Sequence, residues 1–210
     1  MPVIVAVDGP SGSGKSSVSK GVATGLGYDY LDTGAMYRAI TWWGLQNDVS
    51  DSQIADRLGD IQLISGTDPA HPTIAVGGVD VSEAIRTPAV TAAVSRYSAV
   101  PEVRTALVAR QREVAQAARK GLVAEGRDLG TVVFPDATLK VYLTADVEAR
   151  AARRAAENAE RGHDTDVSDT HQSLAARDAA DSSRAVSPLQ AATDAVHVDA
   201  TFMTLAEVID

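Results

Sequence analysis

The sequence predicts an α/β protein built on a doubly wound parallel sheet of five strands, with a small antiparallel β insert on one connection. Three observations carry that expectation. Short continuous apolar runs, rich in β-branched residues, recur along the chain as strands buried on both faces require. The stretches between them have helical composition, so strands and helices alternate. The balance of 45% hydrophobic and 22% charged residues in 210 suits a single domain with a substantial core.

The first run is Val3-Ile4-Val5-Ala6-Val7, preceded by Pro2, and residues 28–31, 121–124, 139–143 and 195–198 repeat the pattern. His197 falls in the last run and reads as a packed strand residue; no pair among His71, His163, His171 and His197 has metal-ligand spacing. Pro101 opens an amphipathic helix through Arg119, for which Gly121 is the expected C′ residue. Residues 146–161 are almost all Ala, Arg and Glu and end at Gly162, which predicts a long exposed helix with a glycine stop. A second helix over 168–183 follows a polar loop, and a last one begins at Thr204. Between residues 61 and 87, Ser65-Gly66-Thr67-Asp68-Pro69 and Val76-Gly77-Gly78-Val79 are turn signals flanking short alternating segments. This is the insert, placed outside the main sheet.

Acidic residues outnumber basic ones by 28 to 19, a net charge of −9 that offers no footprint for a polyanion. The lack of cysteine excludes disulfide scaffolds and thiolate nucleophiles. No apolar run approaches the ~18 residues of a membrane span, and no basic signal-like segment leads the chain. The expectation is a monomeric cytoplasmic protein that binds neither nucleic acid nor membrane. Its cations divide into 15 Arg and 4 Lys, a skew toward the planar fork that matches phosphate and carboxylate. Codon usage yields the same skew, so the arginines count only where their spacing says more.

Directly after the first run comes Gly9-Pro10-Ser11-Gly12-Ser13-Gly14-Lys15-Ser16, a full G-x-x-x-x-G-K-[ST] match between a strand and a helix. Backbone N–H groups must curl around a phosphate there, through φ angles and close approaches that side chains forbid. The following helix aims its positive end at the same oxygens. Lys15 adds a point charge for the β- and γ-phosphates, and Ser16 offers a hydroxyl to Mg2+. These residues, with Ser17, are the expected ATP site. The loop specifies a nucleoside triphosphate without saying what is done with it. An Asn-Lys-x-Asp guanine signature is missing downstream, which speaks against a GTPase, and no apolar strand ends in an Asp-Glu pair suited to activating water.

Candidate acceptor residues follow the second and third runs: Leu31-Asp32-Thr33-Gly34-Ala35-Met36-Tyr37-Arg38, and Glu125-Gly126-Arg127-Asp128-Leu129-Gly130 onward to Asp136. Both segments lie past the carboxyl ends of strands, where open α/β sheets bind ligands, so Arg38 and Arg127 converge on the phosphate loop. Arg177, Asp181 and Arg184 fall at i, i+4 and i+7 on one helical face, a pattern that a solvated ion-pair face shares. Of Arg150, Arg153 and Arg154, at least two share a face. Glu125, beside Arg127, either orients that arginine or serves a structural role.

In order along the chain, four segments resemble bacterial cytidylate kinases over essentially the whole length. They are Gly-Pro-Ser-Gly-Ser-Gly-Lys-Ser, Leu-Asp-Thr-Gly-Ala-Met-Tyr-Arg, Glu-Gly-Arg-Asp-Leu-Gly-Thr-Val-Val-Phe-Pro-Asp-Ala and Arg-Asp-x-x-Asp-x-x-Arg-x-x-x-Pro-Leu. The resemblance implies one P-loop kinase domain over 1–210, with residues 61–95 as a nucleoside-monophosphate-binding insert and 150–184 as a helical lid. It implies that Arg38, Arg127 and Arg184 hold the α-phosphate of CMP, lined by Tyr37 and Thr33. Cytosine would be read by Ser95, Arg104 and Asp128, and the ribose hydroxyls by Arg177 and Asp181. Thr33 stands where serine is common, and the hydroxyl is kept. Arg150 and Arg154 would close over the ATP phosphates; the alternative is surface charge paired with Glu148, Glu157 and Glu160.

The implied reaction is in-line attack of the CMP or dCMP phosphate on the γ-phosphate of Mg·ATP, yielding CDP or dCDP and ADP. The acceptor phosphate, with a second pKa of about 6, is already largely ionised at neutral pH and needs no general base. Bringing two polyanions together makes positioning and charge neutralisation the main tasks, assigned to Lys15, Arg127, Arg154 and Arg184. A kinase for another small acceptor, such as UMP or a hydroxyl compound, is the alternative enzyme. A nucleotide-binding regulatory module is the alternative from another class.

Overall fold

Strand β1 (Val3–Asp8) runs through the glycine-rich loop into helix α1 (Lys15–Leu26), which ends where Gly27, at φ 65°, turns its N–H back to the Ala23 and Thr24 carbonyls. The computed structural model describes residues 2–160, 167–183, 186 and 188–210. Strand β2 (Asp29–Asp32) leads directly into α2 (Thr33–Gln46), because the Asp32 carboxylate caps the helix by accepting the Ala35 N–H at 2.8 Å. The insert holds β3 (Leu63–Ser65), β4 (Ile74–Val76) and β5 (Val79–Asp80) as a separate antiparallel sheet. Helices α3 (Pro88–Ala99) and α4 (Pro101–Ala117) both open on a proline, whose fixed φ suits a first helical position. Then come β6 (Gly121–Gly126), a π-helical turn at Leu129–Val133, β7 (Leu139–Thr144), α5 (Val147–Glu160), α6 (Val167–Ser182), β8 (Val196–Asp199) and α7 (Leu205–Ile209). Thr204 and Glu207 form a reciprocal capping box that starts α7.

The main sheet has the order β2-β6-β1-β7-β8 with every neighbouring pair parallel, so the five apolar runs form the doubly wound sheet expected. Side chains alternate across it. Ala6, Leu31, Leu122 and Ala124 join a core with Met36, Ile40, Val94, Val103 and Leu107 from α2, α3 and α4. Val5, Val7, Tyr30, Val123 and Leu143 pack in a second core with Val18 and Ala23 of α1, beside Val208 and Ile209 of α7. Because both faces are covered, the central strands β1 and β6 are apolar until their carboxyl ends, where the buried Asp8 and Glu125 stand.

Three expectations change, and the insert is placed as expected. Helix α4 stops at Ala117 with Ala118 as its cap, so Gly121 is not its C′ residue. Gly121 opens β6, where a Cβ would stand 2.7 Å from the Tyr28 ring, and close approach is what demands glycine. His197 is exposed on the edge strand β8, its ring 5.5 Å from that of Tyr142, instead of packed. Helix α5 is not wholly exposed, since Arg150 and Ala151 are buried; its expected stop, Gly162, lies outside the described residues. The insert has its own sheet without its own core: Ile74 and Val76 are buried with the α2 residues, and the Tyr30 N–H of β2 donates to the Thr67 carbonyl at 2.8 Å.

Candidate active site

At the exit of β1 the backbone is too crowded for a side chain. Gly9 has φ 149°, and a Cβ there would stand 2.1 Å from the Leu143 carbonyl oxygen of β7. Gly12, at φ 78°, lies against the Arg150 backbone, and Gly14, at φ 94°, is the left-handed N-cap of α1. No side chain caps α1 and its first turn carries no acid, which leaves its N–H groups and positive dipole end suited to an anion. Lys15 Nζ donates to the Pro10 carbonyl at 2.7 Å, curling over the loop, while Ser16 and Ser17 are exposed. Residues 11–18 line a cavity of about 530 Å³, within the range of small-molecule sites.

From the α2–α4 face, Thr33, Tyr37, Arg38, Arg104, Arg127 and Asp128 line the same cavity. The Thr33 hydroxyl donates to the Glu125 carbonyl at 2.7 Å, tying α2 to the end of β6. Arg38, buried, donates to the Ile85 carbonyl at 3.1 Å and to Thr91 Oγ1 at 3.0 Å. Arg104 and Asp128 form a buried ion pair. Arg104 also donates to the Ser98 carbonyl at 3.2 Å and lies 5.2 Å over the Tyr37 ring. Ser95 sits on α3 outside the lining, whereas Ser98, one turn later, belongs to it. Sequence reasoning missed Ser98, and also Arg86, which pairs with Asp32 at 2.8 Å beside the cavity.

Two buried carboxylates set the position of these groups. Asp8, at the end of β1, accepts the Leu129 N–H at 2.9 Å and the Gly130 N–H at 2.8 Å, fixing the segment that carries Arg127 and Asp128; burial pushes its pKa up to about 6. Glu125 accepts hydroxyl hydrogen bonds from Tyr30 and Ser16, which tie the end of β6 to β2 and to the start of α1. Burial, then the neighbouring Asp32 charge, pushes Glu125 up to about 7. Burial acts on Asp32 as well, but the Arg86 guanidinium outweighs it and holds that carboxyl below its usual range.

Helices α5 and α6 bring further charge. Arg127 pairs with Asp181, which is buried, and lies 3.6 Å from Asp178. Arg150 is buried and pairs with Asp178, while Arg153 donates to the Ala200 carbonyl at 2.6 Å and Arg154 lines the cavity. Helix α6 spans Val167–Ser182 and carries Asp181; Arg184 and the side chain of Arg177, the other two members of the expected stripe, lie outside the described residues. On the α7 face the cavity is walled by Ala200, Met203, Thr204, Leu205 and Val208, for which no local sequence signal exists. Among the described residues no group of three His, Asp or Glu is placed to hold a metal by itself.

The family profile described as cytidylate kinase matches residues 5–210. A cytidylate kinase from Streptomyces griseus subsp. griseus is 58% identical and one from Streptomyces avermitilis 57%, each alignment covering 99% of this chain and 90% of the relative. A cytidylate kinase from Nocardia farcinica is 52% identical over 100% of this chain and 91% of its own length.

Proposed function

The chain belongs to the cytidylate kinase family, and from that premise we propose that it transfers the γ-phosphoryl group of ATP to CMP and dCMP. The observation that carries the reading is a shared cavity that joins the phosphate loop to a second cationic wall built on Arg38, Arg104 and Arg127. ATP places its phosphates on residues 9–17 and its base against Met203 and Val208 on the α7 side. CMP places its phosphate between Arg38 and Arg127, with Arg184 as a third arginine and Thr33 and Tyr37 beside it. Arg177 and Asp181 take the ribose. Cytosine presents an amino donor next to two acceptors, a match for the Asp128 carboxylate beside the Arg104 guanidinium; Ser98, which lines the cavity where Ser95 does not, is the nearer serine of α3. Uracil would turn a carbonyl oxygen toward that carboxylate.

Because the acceptor phosphate is ionised near neutral pH, the chain's task is to hold two anions in line and neutralise the charge that spreads over the transferred group. Lys15, Arg127, Arg154 and Arg184 do this, with Arg150 on the ATP side. The donors at hand suit Mg2+: Ser16 offers a hydroxyl oxygen whose proton goes to Glu125, and Mg2+ takes few protein ligands when it shares phosphate oxygens. When bound, the ion would supply positive charge that offsets the charge of the phosphate oxygens. The insert over 61–95 and the lid over 150–184 close on the cavity and exclude water, the competing acceptor. The reading places the enzyme in the cytoplasm as a monomer acting on free nucleotides; among the described residues no helix is long and apolar enough to cross a membrane.

A panel of CMP, dCMP, UMP, AMP and shikimate, followed by coupled ADP release, tests the reading. CMP should be turned over with the highest kcat/KM. ATP binding without turnover of any monophosphate would instead support a regulatory module, and preferred turnover of shikimate would support a hydroxyl kinase.

A further inference from the structure

Asp178 of α6 stands at a junction of three elements. Its Oδ1 accepts the Ser11 N–H of the phosphate loop at 3.2 Å and lies 3.6 Å from Arg127 Nη1; its Oδ2 accepts Arg150 Nη1. The same Arg150 nitrogen donates to the Ser11 carbonyl at 3.0 Å, so loop, α5 and α6 close a ring around one carboxylate. The three side chains are only 10–17% exposed, well below the level at which water screens such pairs to near zero. Asp181, which pairs with the same Nη1 of Arg127, lines the cavity, and Asp178 does not. Asp178 therefore acts through its neighbours.

We propose, on the reading that Arg127 and Arg150 serve the two phosphates, that Asp178 is a positioning residue for phosphoryl transfer. Together with Asp181 it takes Nη1 of Arg127, which turns the other edge of that fork toward the acceptor phosphate. By gripping Arg150 and the Ser11 N–H together, it ties the angle of the lid helix to the shape of the phosphate loop. Loss of the carboxylate leaves both guanidinium groups in place but lets them rotate, and misplacement of about 1 Å at a transfer site costs up to about a hundredfold in rate.

Asp178→Ala should lower kcat about tenfold or more with the KM for CMP changed less than about threefold. Asp178→Asn retains one acceptor oxygen without the charge, and should lose less than the alanine variant but at least about threefold. In a double-mutant cycle with Arg150→Gln the losses should be less than additive. Undiminished kcat in either variant, or additive losses, would overturn the proposal. Should Asp178→Ala fail to fold, Asp178→Asn decides alone, by the same threefold criterion at unchanged Tm. Wild-type turnover of CMP is the reference throughout: its absence counts against the reading of the site, whereas normal wild-type turnover with undiminished variants counts against Asp178 only.

Discussion

Arg104 and Asp128 pair in the wall of the cavity with side chains only 4% and 7% exposed, and the Tyr37 ring lies beneath the guanidinium. A charge pair so poorly hydrated is fixed in orientation, which is what a reader of one base edge requires. Asp128→Ala should cost about 3–5 kcal/mol, visible as a fall in Tm, because it strands a buried guanidinium. Asp128→Asn keeps the volume and can satisfy either pyrimidine, so the ratio of kcat/KM for CMP over UMP should shrink about tenfold while the KM for ATP holds. An unchanged ratio would remove Asp128 from base recognition.

Lys15 is half-buried and held over the loop by the Pro10 carbonyl. Lys15→Ala should reduce CMP phosphorylation by at least about a hundredfold, with the thermal transition little moved. Turnover near the wild-type rate would show that the loop is not the phosphate site.

Glu125 makes stability depend on pH. Its pKa is raised from 4.5 to about 7 by burial and by Asp32, so across that interval the folded chain binds more protons than the unfolded one. Stability from this group therefore falls as pH rises from about 4.5 to about 7 and stays lower above. Asp32, held low by Arg86, is ionised throughout that interval and does not offset the trend. Glu125→Gln stays neutral and still accepts the Tyr30 hydroxyl. Its Tm should exceed wild type at about pH 8 and converge with it toward acid pH. Thermal scans showing a parallel offset at all pH values would contradict this.

Asp8 accepts two consecutive backbone N–H groups. Asparagine supplies one acceptor oxygen and turns an amino group toward the second N–H, so Asp8→Asn should destabilise by about 1–3 kcal/mol in denaturant titrations. Its kcat should fall too, because the turn carrying Arg127 and Asp128 loses an anchor. Wild-type stability in this variant would show that the N–H pair does not depend on the carboxylate.

Local signals told the truth where local physics decides. The inner apolar runs became strands because a strand covered on both faces has little polar side to show, the edge run β8 being the exposed exception, and the glycine loop was legible because Gly9, Gly12 and Gly14 adopt conformations that few other residues tolerate. Gly121 was misread because its neighbour, Tyr28, belongs to a different part of the chain, and His197 because nothing in a strand's own residues marks it as an edge. Arg38, Arg104, Arg127 and Asp128 were expected to gather and do line one cavity. Asp178, Asp8 and the Tyr30–Glu125 contact stayed hidden, since each is made across elements and leaves no spacing to read. Asp178 did stand in plain sight, within the Arg-Asp-x-x-Asp segment, without a role attached to it.

The account rests on one cavity holding two nucleotides end to end, and a crystal structure with CMP and a non-hydrolysable ATP analogue tests it most directly. Arg38 and Arg127 should lie within hydrogen-bonding distance of the CMP phosphate, whose oxygen points in line at the terminal phosphate seated on residues 9–17. CMP bound away from Arg104 and Asp128, or both arginines turned from its phosphate, would contradict it.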